Sequence, residues 1–239
     1  EIDIIKESSR IVRDTLNELQ KLIHPGITTL ELDQVAEEYI RSQNAVPGFK
    51  GMYGYPSTIC ASINDAVVHG IPNNKSLREG DILSLDVGSL FKGYYGDHAR
   101  TFPVGDIADE YKQLLEVTEN SLYLGIKAAK PGNTIGDIGY AIQNYIESYG
   151  YGIIRDLVGH GIGEELHEDP QIPNFGSKGE GSVIEIGMCF AIEPMVVINS
   201  YEVYTKDDDW TICTKDGSFS AHFEHTITIE DEGAKILTK

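Results

Sequence analysis

HPGITTLELDQVAEEYIRS, residues 24–42, is answered by KPGNTIGDIGYAIQNYIES, residues 130–148. Pro25, Gly26, Thr28, Tyr39 and Ile40 recur as Pro131, Gly132, Thr134, Tyr145 and Ile146. In each copy a Pro-Gly turn leads to a threonine placed to cap a helix. An acid three residues on, Glu31 or Asp137, completes a capping-box pattern. Apolar residues then fall at helical spacing: Leu32, Val35, Ala36, Tyr39 and Ile40 in one copy, Ile138, Ala141, Ile142, Tyr145 and Ile146 in the other. A further helical stretch precedes each copy, over residues 3–23 and 108–129.

Outward from the helices, the repeat continues into strands. Residues 79–88, EGDILSLDVG, resemble residues 186–195, IGMCFAIEPM, each a turn and then a strand that carries one carboxylate, Asp86 or Glu193. GDHARTF, 96–102, parallels FEHTITI, 223–229, and each is expected to open a strand with an acid followed by histidine, Asp97-His98 and Glu224-His225. Two copies of helix, helix and acid-bearing strands predict an α+β fold of pseudo-twofold design. Helices would cover the outer face of one curved, mainly antiparallel sheet, and the acids would sit on the other face. The whole of residues 1–239 reads as a single domain of two related halves, about 1–107 and 108–239, with no linker between them. Residues 174–182, NFGSKGEGS, form a polar loop that lacks the Lys-Ser or Lys-Thr of a phosphate loop.

Side chains alternate between the two faces of a strand. Leu83, Leu85 and Val87 can therefore pack on helices while Asp86 points away, and Phe190 and Ile192 stand opposite Glu193 in the same manner. A carboxylate in an apolar strand costs several kcal/mol unless it is paired or bound to metal. Arg100 is the only basic residue near these positions. Four acids drawn together by symmetry repel one another unless cations neutralise them, and two divalent ions would do so.

His160, set between Gly159 and Gly161 in VGHGIGEELHEDP, is a fifth candidate ligand. His167 lies seven residues on, and His69 follows a strand-like run in AVVHGIP. No HExxH zinc helix is present. Four carboxylates and one imidazole make a hard donor set that suits Mn²⁺, Fe²⁺ or Co²⁺ better than a structural thiolate zinc site. Two such ions about 3.5–4 Å apart polarise a carbonyl and activate water, which points to hydrolysis of an amide or ester.

The formal charge of −19 disfavours direct binding to nucleic acid. No run approaches the roughly 18 apolar residues of a membrane span. Cys60, Cys189 and Cys213 are odd in number and widely spaced, which fits a reducing cytoplasm and no disulfide framework.

The segments KLIHPGITTLELD, GYPSTICASINDAVVHGIP, REGDILSLDVG, GYYGDHARTF, VGHGIGEELHEDP, CFAIEPM and FEHTI resemble the type I methionine aminopeptidases of the M24 peptidase family along essentially the whole chain. That resemblance implies the pita-bread fold and removal of the initiator methionine when the second residue is small. It implies two divalent ions, with Co, Mn, Fe, Zn and Ni all accepted and Fe or Mn favoured in cells. By resemblance, Asp97 and Glu224 bridge the ions, Asp86 completes one, and His160 and Glu193 complete the other. Glu193 would also carry a proton to the leaving amine, His167 would bond the scissile carbonyl and His69 the adjoining amide. Phe49, Met52, Tyr55, Cys60, Leu166 and Trp210 match the methionine side-chain pocket.

The sequence departs from the family pattern at Met52 and Leu166, where aromatic residues are frequent, and at Gly88, where threonine is common beside the metals. The implied partner is a nascent polypeptide N-terminus, met during transient ribosome contact by a cytoplasmic monomer. An X-Pro peptidase and a non-catalytic binding protein are the alternatives on this scaffold. The former usually adds an N-terminal domain, and the latter typically loses ligands.

Overall fold

The structure is a computed structural model that describes every residue from Glu1 to Lys239. Four long helices carry the two copies of the repeat: α1 (Ile2–Gln20), α2 (Thr29–Ser42), α3 (Asp109–Ala128) and α4 (Ile135–Ser148). At α2 the capping box closes in both directions: Thr28 N donates to Glu31 Oε2 at 2.8 Å, and Glu31 N donates to Thr28 Oγ1 at 3.2 Å. At α4 the Asp137 carboxylate accepts from Thr134 N at 2.8 Å. Gly26 and Gly132 take φ of 101° and 85°, the left-handed turn that glycine tolerates before each cap. Both caps are tied to an extended segment in the same way, by isolated antiparallel bridges Thr28–Ser76 and Thr134–Val183. Both copies thus carry the same turn, cap and bridge.

The helices bury the apolar rows of the strands in two cores. Ile11, Val12, Leu16 and Leu19 of α1 and Leu32, Ala36 and Ile40 of α2 pack on Leu83, Leu85 and Val87. In the second half Leu114, Val117, Leu122 and Ile126 of α3 and Ile138, Ile142 and Ile146 of α4 pack on Phe190, Ile192, Ile227 and Ile229. Each large side chain among them contributes about 1.5–3 kcal/mol by leaving water. No helix is long and apolar enough to cross a membrane.

The strands pair antiparallel throughout, but as four sheets rather than one. The two that hold the acids are a four-stranded sheet with Ile59–Ile63, Ile82–Phe91 and Tyr94–Pro103, and a five-stranded sheet with Gly159–Gly161, Cys189–Ile192 and His225–Glu230. Glu224 directly precedes its strand, as expected, whereas Asp97 lies inside Tyr94–Pro103. The cause is the tight turn at Lys92 and Gly93 (φ 49° and 87°), which carries the hairpin ladder unbroken from Phe91–Tyr94 to Ile82–Pro103.

The sheets meet edge to edge at a seam. Asp97 N donates to Thr226 Oγ1 at 3.1 Å and Thr226 Oγ1 donates to Asp97 O at 2.7 Å. Glu224 N donates to Ala99 O at 2.9 Å. Thr101 Oγ1 exchanges hydrogen bonds with both His222 N and His222 O, each at 2.9 Å.

Helix α1 lies against the backbone of the Ile82–Pro103 hairpin. Ser8 Oγ donates to Ser89 O at 2.9 Å, and a methyl group on Gly96 would lie 2.6 Å from Ser9 N and 2.7 Å from the Ser8 carbonyl carbon. Gly96→Ala should therefore cost about 1–3 kcal/mol of overpacking. Urea denaturation should show a lower midpoint; a midpoint equal to that of the parent would mean that helix and hairpin separate freely.

Candidate metal centre

Asp86 sits in the strand Ile82–Phe91 with Cys60 and Ala99 as its cross-strand neighbours, and Asp97 comes from the adjacent strand. His160 occupies the middle of Gly159–Gly161, opposite Ala191. Its flanking glycines are required by close backbone contact: a Cβ at Gly159 would stand 2.3 Å from Ala191 O, and one at Gly161 would stand 2.4 Å from Asp169 O. Glu193 follows Cys189–Ile192, and Glu224 lies between Ser220–His222 and His225–Glu230.

All five side chains line one cavity of about 670 Å³. Donor atoms of Asp97, His160 and Glu224 lie within 4.8 Å of one another. His160 Nε2 is 3.6 Å from Glu193 Oε1 and 4.0 Å from Asp97 Oδ2. The Gly161 carbonyl can only accept, so His160 Nδ1, 2.9 Å away, carries the hydrogen and leaves the Nε2 lone pair facing the acids.

The electrostatics of this group are unfavourable by themselves. Asp86 Oδ1, Asp97 Oδ1 and Glu224 Oε1 are buried without a hydrogen-bond partner. Burial, reinforced by the neighbouring carboxylates, holds Asp97 and Glu224 well above the ordinary carboxylate range. Burial likewise pushes Asp86 up to about 6, with the His222 imidazole opposing it. Arg100 relieves none of this, because its Nη2 donates to Asn17 Oδ1 at 2.9 Å and it forms no ion pair with any of the acids. Orphaned carboxylate oxygens around a correctly oriented imidazole fit a divalent cation. Cys60 does not join the donors, since burial and the charge of Asp86 push its thiol well above its usual range.

The remaining residues singled out in the sequence line the same cavity: His69, His167, Phe49, Met52, Tyr55, Cys60, Leu166 and Trp210. Phe49, Tyr55, Cys60 and Leu166 form a buried cluster with Ile162, Met52 and Trp210 pack against it, and Trp210 stands edge-on to Tyr55 at 5.1 Å. His69 takes a left-handed φ of 57°, an uncommon conformation for a residue with a Cβ. The His167 ring is 4.5 Å from that of His160, and burial lowers its pKa to about 4. His167 is therefore neutral at pH 7.

His98 points away from the cavity. Its ring stacks on His225 at 4.7 Å, and its Nδ1 meets the Glu224 carbonyl. His222, which no motif in the sequence singles out, lines the cavity and places Nε2 3.5 Å from Glu193 Oε2. Its only sequence signal was its place two residues before Glu224.

The profile of Metallopeptidase family M24 matches residues 3–231. The chain is 50% identical to the methionine aminopeptidase of Clostridium acetobutylicum, over all of this chain and 96% of that protein. It is similar to the crystal structure of methionine aminopeptidase from Thermotoga maritima, with a TM-score of 0.99, 47% identity and coverage of 100% of this chain and 96% of that one. The prolidase of Pyrococcus furiosus is less similar, with a TM-score of 0.81 and 26% identity, and this chain spans 64% of it. By sequence profile, full-length identity and fold, the chain belongs to metallopeptidase family M24, among its methionine aminopeptidases.

Proposed function

We propose that this chain removes the initiator methionine from nascent polypeptides whose second residue is small, using two divalent ions held by Asp86, Asp97, His160, Glu193 and Glu224. The observation that carries this reading is the set of orphaned carboxylate oxygens beside His160, placed at the end of an apolar pocket. In this assignment Asp86, Asp97, His160, Glu193 and Glu224 would together hold the ions, with donor atoms of Asp97, His160 and Glu224 within 4.8 Å of one another. Bound there, the ions supply Lewis acidity and lower the pKa of water. Mn²⁺ or Fe²⁺ suits the oxygen-rich donors.

The protein's own groups divide the remaining work. Neutral His167 donates a ring N–H to the scissile carbonyl oxygen, a bond that strengthens as charge develops there. Glu193 accepts a proton and returns it to the leaving amine. His69, kept neutral by burial, contacts the amide on the leaving side. The methionine side chain enters the pocket of Phe49, Met52, Tyr55, Cys60, Leu166 and Trp210, where a thioether packs well on aromatic faces and sulfur. Tyr55 is rigid there because its hydroxyl reaches the carbonyls of Ile59 at 2.9 Å and Gly70 at 3.0 Å. The two halves act as one catalytic unit, since each supplies part of the donor set. The complete donor set argues against a non-catalytic binder, and the apolar pocket argues for methionine over an X-Pro substrate. The expected setting is the cytoplasm, with a monomer that meets the ribosome only transiently.

Turnover of Met-Ala-Ser should exceed that of Met-Leu-Ser and of an X-Pro peptide by roughly tenfold or more. Equal rates on the three would overturn the substrate assignment. His167→Ala should lower kcat by about 10²–10³ with metal content unchanged; a rise in KM alone would refute the role at the carbonyl.

Metal uptake should also depend on pH. Asp86, Asp97 and Glu224 have raised pKa values in the metal-free protein and so hold protons that a cation must displace. Mn²⁺ affinity should therefore climb between pH 5.5 and 7.5, by about tenfold per unit for each proton displaced. Calorimetry in buffers of different ionisation heat should record proton release at pH 6, and a pH-independent affinity without release would contradict the ligand set.

A further inference from the structure

We infer that His222 is a positioning residue for Glu193, holding the outer oxygen of that carboxylate so that the other faces His160 and the metal. The inference rests on the metal-centre reading given above. His222 is the fourth imidazole of the cavity, beside His69, His160 and His167. Its backbone cannot drift, because Thr101 Oγ1 accepts from His222 N and donates to His222 O, and Ser84 Oγ stands 2.8 Å from the same Thr101 hydroxyl. Cross-strand pairing with Met195 adds a second restraint.

The His222 ring is buried, and its Nε2 has no hydrogen-bond partner. A buried ring nitrogen left without a partner is uncommon and calls for an explanation. One carboxylate oxygen lies in reach, Glu193 Oε2 at 3.5 Å, while Glu193 Oε1 is 3.6 Å from His160 Nε2. The two oxygens of Glu193 are therefore divided between two imidazoles. The Glu193 main chain is fixed independently, since Asn174 Nδ2 donates to its carbonyl at 3.0 Å. The carboxylate still has its soft terminal torsion, and a small rotation there brings Oε2 into hydrogen-bond range of Nε2 with no backbone movement. With Nε2–H as donor, His222 selects which oxygen of Glu193 turns to the metal. Partners of this kind orient ligands without touching the metal or the substrate.

The experiment compares the full chain with H222A, H222Q, H222N and E193A. Each is stripped of metal and titrated with Mn²⁺ in a calorimeter, and each is then assayed with saturating Mn²⁺. H222A should weaken one of the two bound ions by roughly 10–100-fold and lower kcat to a similar degree, with KM nearly unchanged. Glutamine places an amide nitrogen near the Nε2 position, so H222Q should recover most of both losses. Asparagine is too short to reach Glu193, so H222N should behave as H222A does while keeping a polar group in the site, which separates lost positioning from lost packing.

Parent-like Mn²⁺ binding by H222A and H222N, with E193A impaired, would overturn the positioning role alone. A rise in KM with unaltered metal binding would do so as well, by placing His222 on the substrate instead. Parent-like binding by E193A would remove the metal-centre reading on which the proposal stands.

Discussion

Thr226 bonds both the N–H and the carbonyl of Asp97, and the placement of the buried acids depends on that clasp. The strand of the first half that carries Asp97 and the strand of the second half that follows Glu224 are not neighbours in one ladder. They meet through threonine hydroxyls, the contact of His98 Nδ1 with the Glu224 carbonyl and a main-chain bond from Glu224 to Ala99. Those few bonds push two carboxylates together out of water, where each carries an unpartnered oxygen. The apolar cores behind them make the arrangement affordable: rows such as Leu83, Leu85 and Val87, fully buried under α1 and α2, stabilise the strands enough to hold the acids in place.

The parts of the fold visible in the sequence are those specified by local chemistry. Pro-Gly turns, capping threonines and their acids act within a few residues, so the four helices were found with ends within three residues of those observed. The acids followed because the repeat marked equivalent places. What the sequence did not reveal depends on contacts between distant segments. The start of the strand holding Asp97 was misplaced because Lys92 and Gly93 make a turn tight enough to extend the ladder past the acid. The division into four sheets was equally hidden, since several strands are only two or three residues long and are defined by pairing rather than by pattern. His222 escaped notice because only the crossing of Ser220–His222 with the strand after Glu193 aims its ring at that acid.

The imidazoles show how one residue type is adapted by its surroundings. His160 is oriented by a carbonyl behind it, His167 is kept neutral by burial, and His98 and His225 stack on each other on the far side of the seam. The last two are the residues that follow Asp97 and Glu224 in the repeat, so alternation along each strand puts an acid on one face and an aromatic ring on the other. The apolar end of the cavity needs no charge at all. There, rigid rings and a protonated thiol present a soft surface next to the hard donors.

The duplicated caps and bridges hold two unequal sets of donors. Under the proposed assignment, the first half brings only Asp86 and Asp97, and the second brings His160, Glu193 and Glu224. A lone half would be a scaffold with an open cage. Neither half could complete the cage without the other across the clasp.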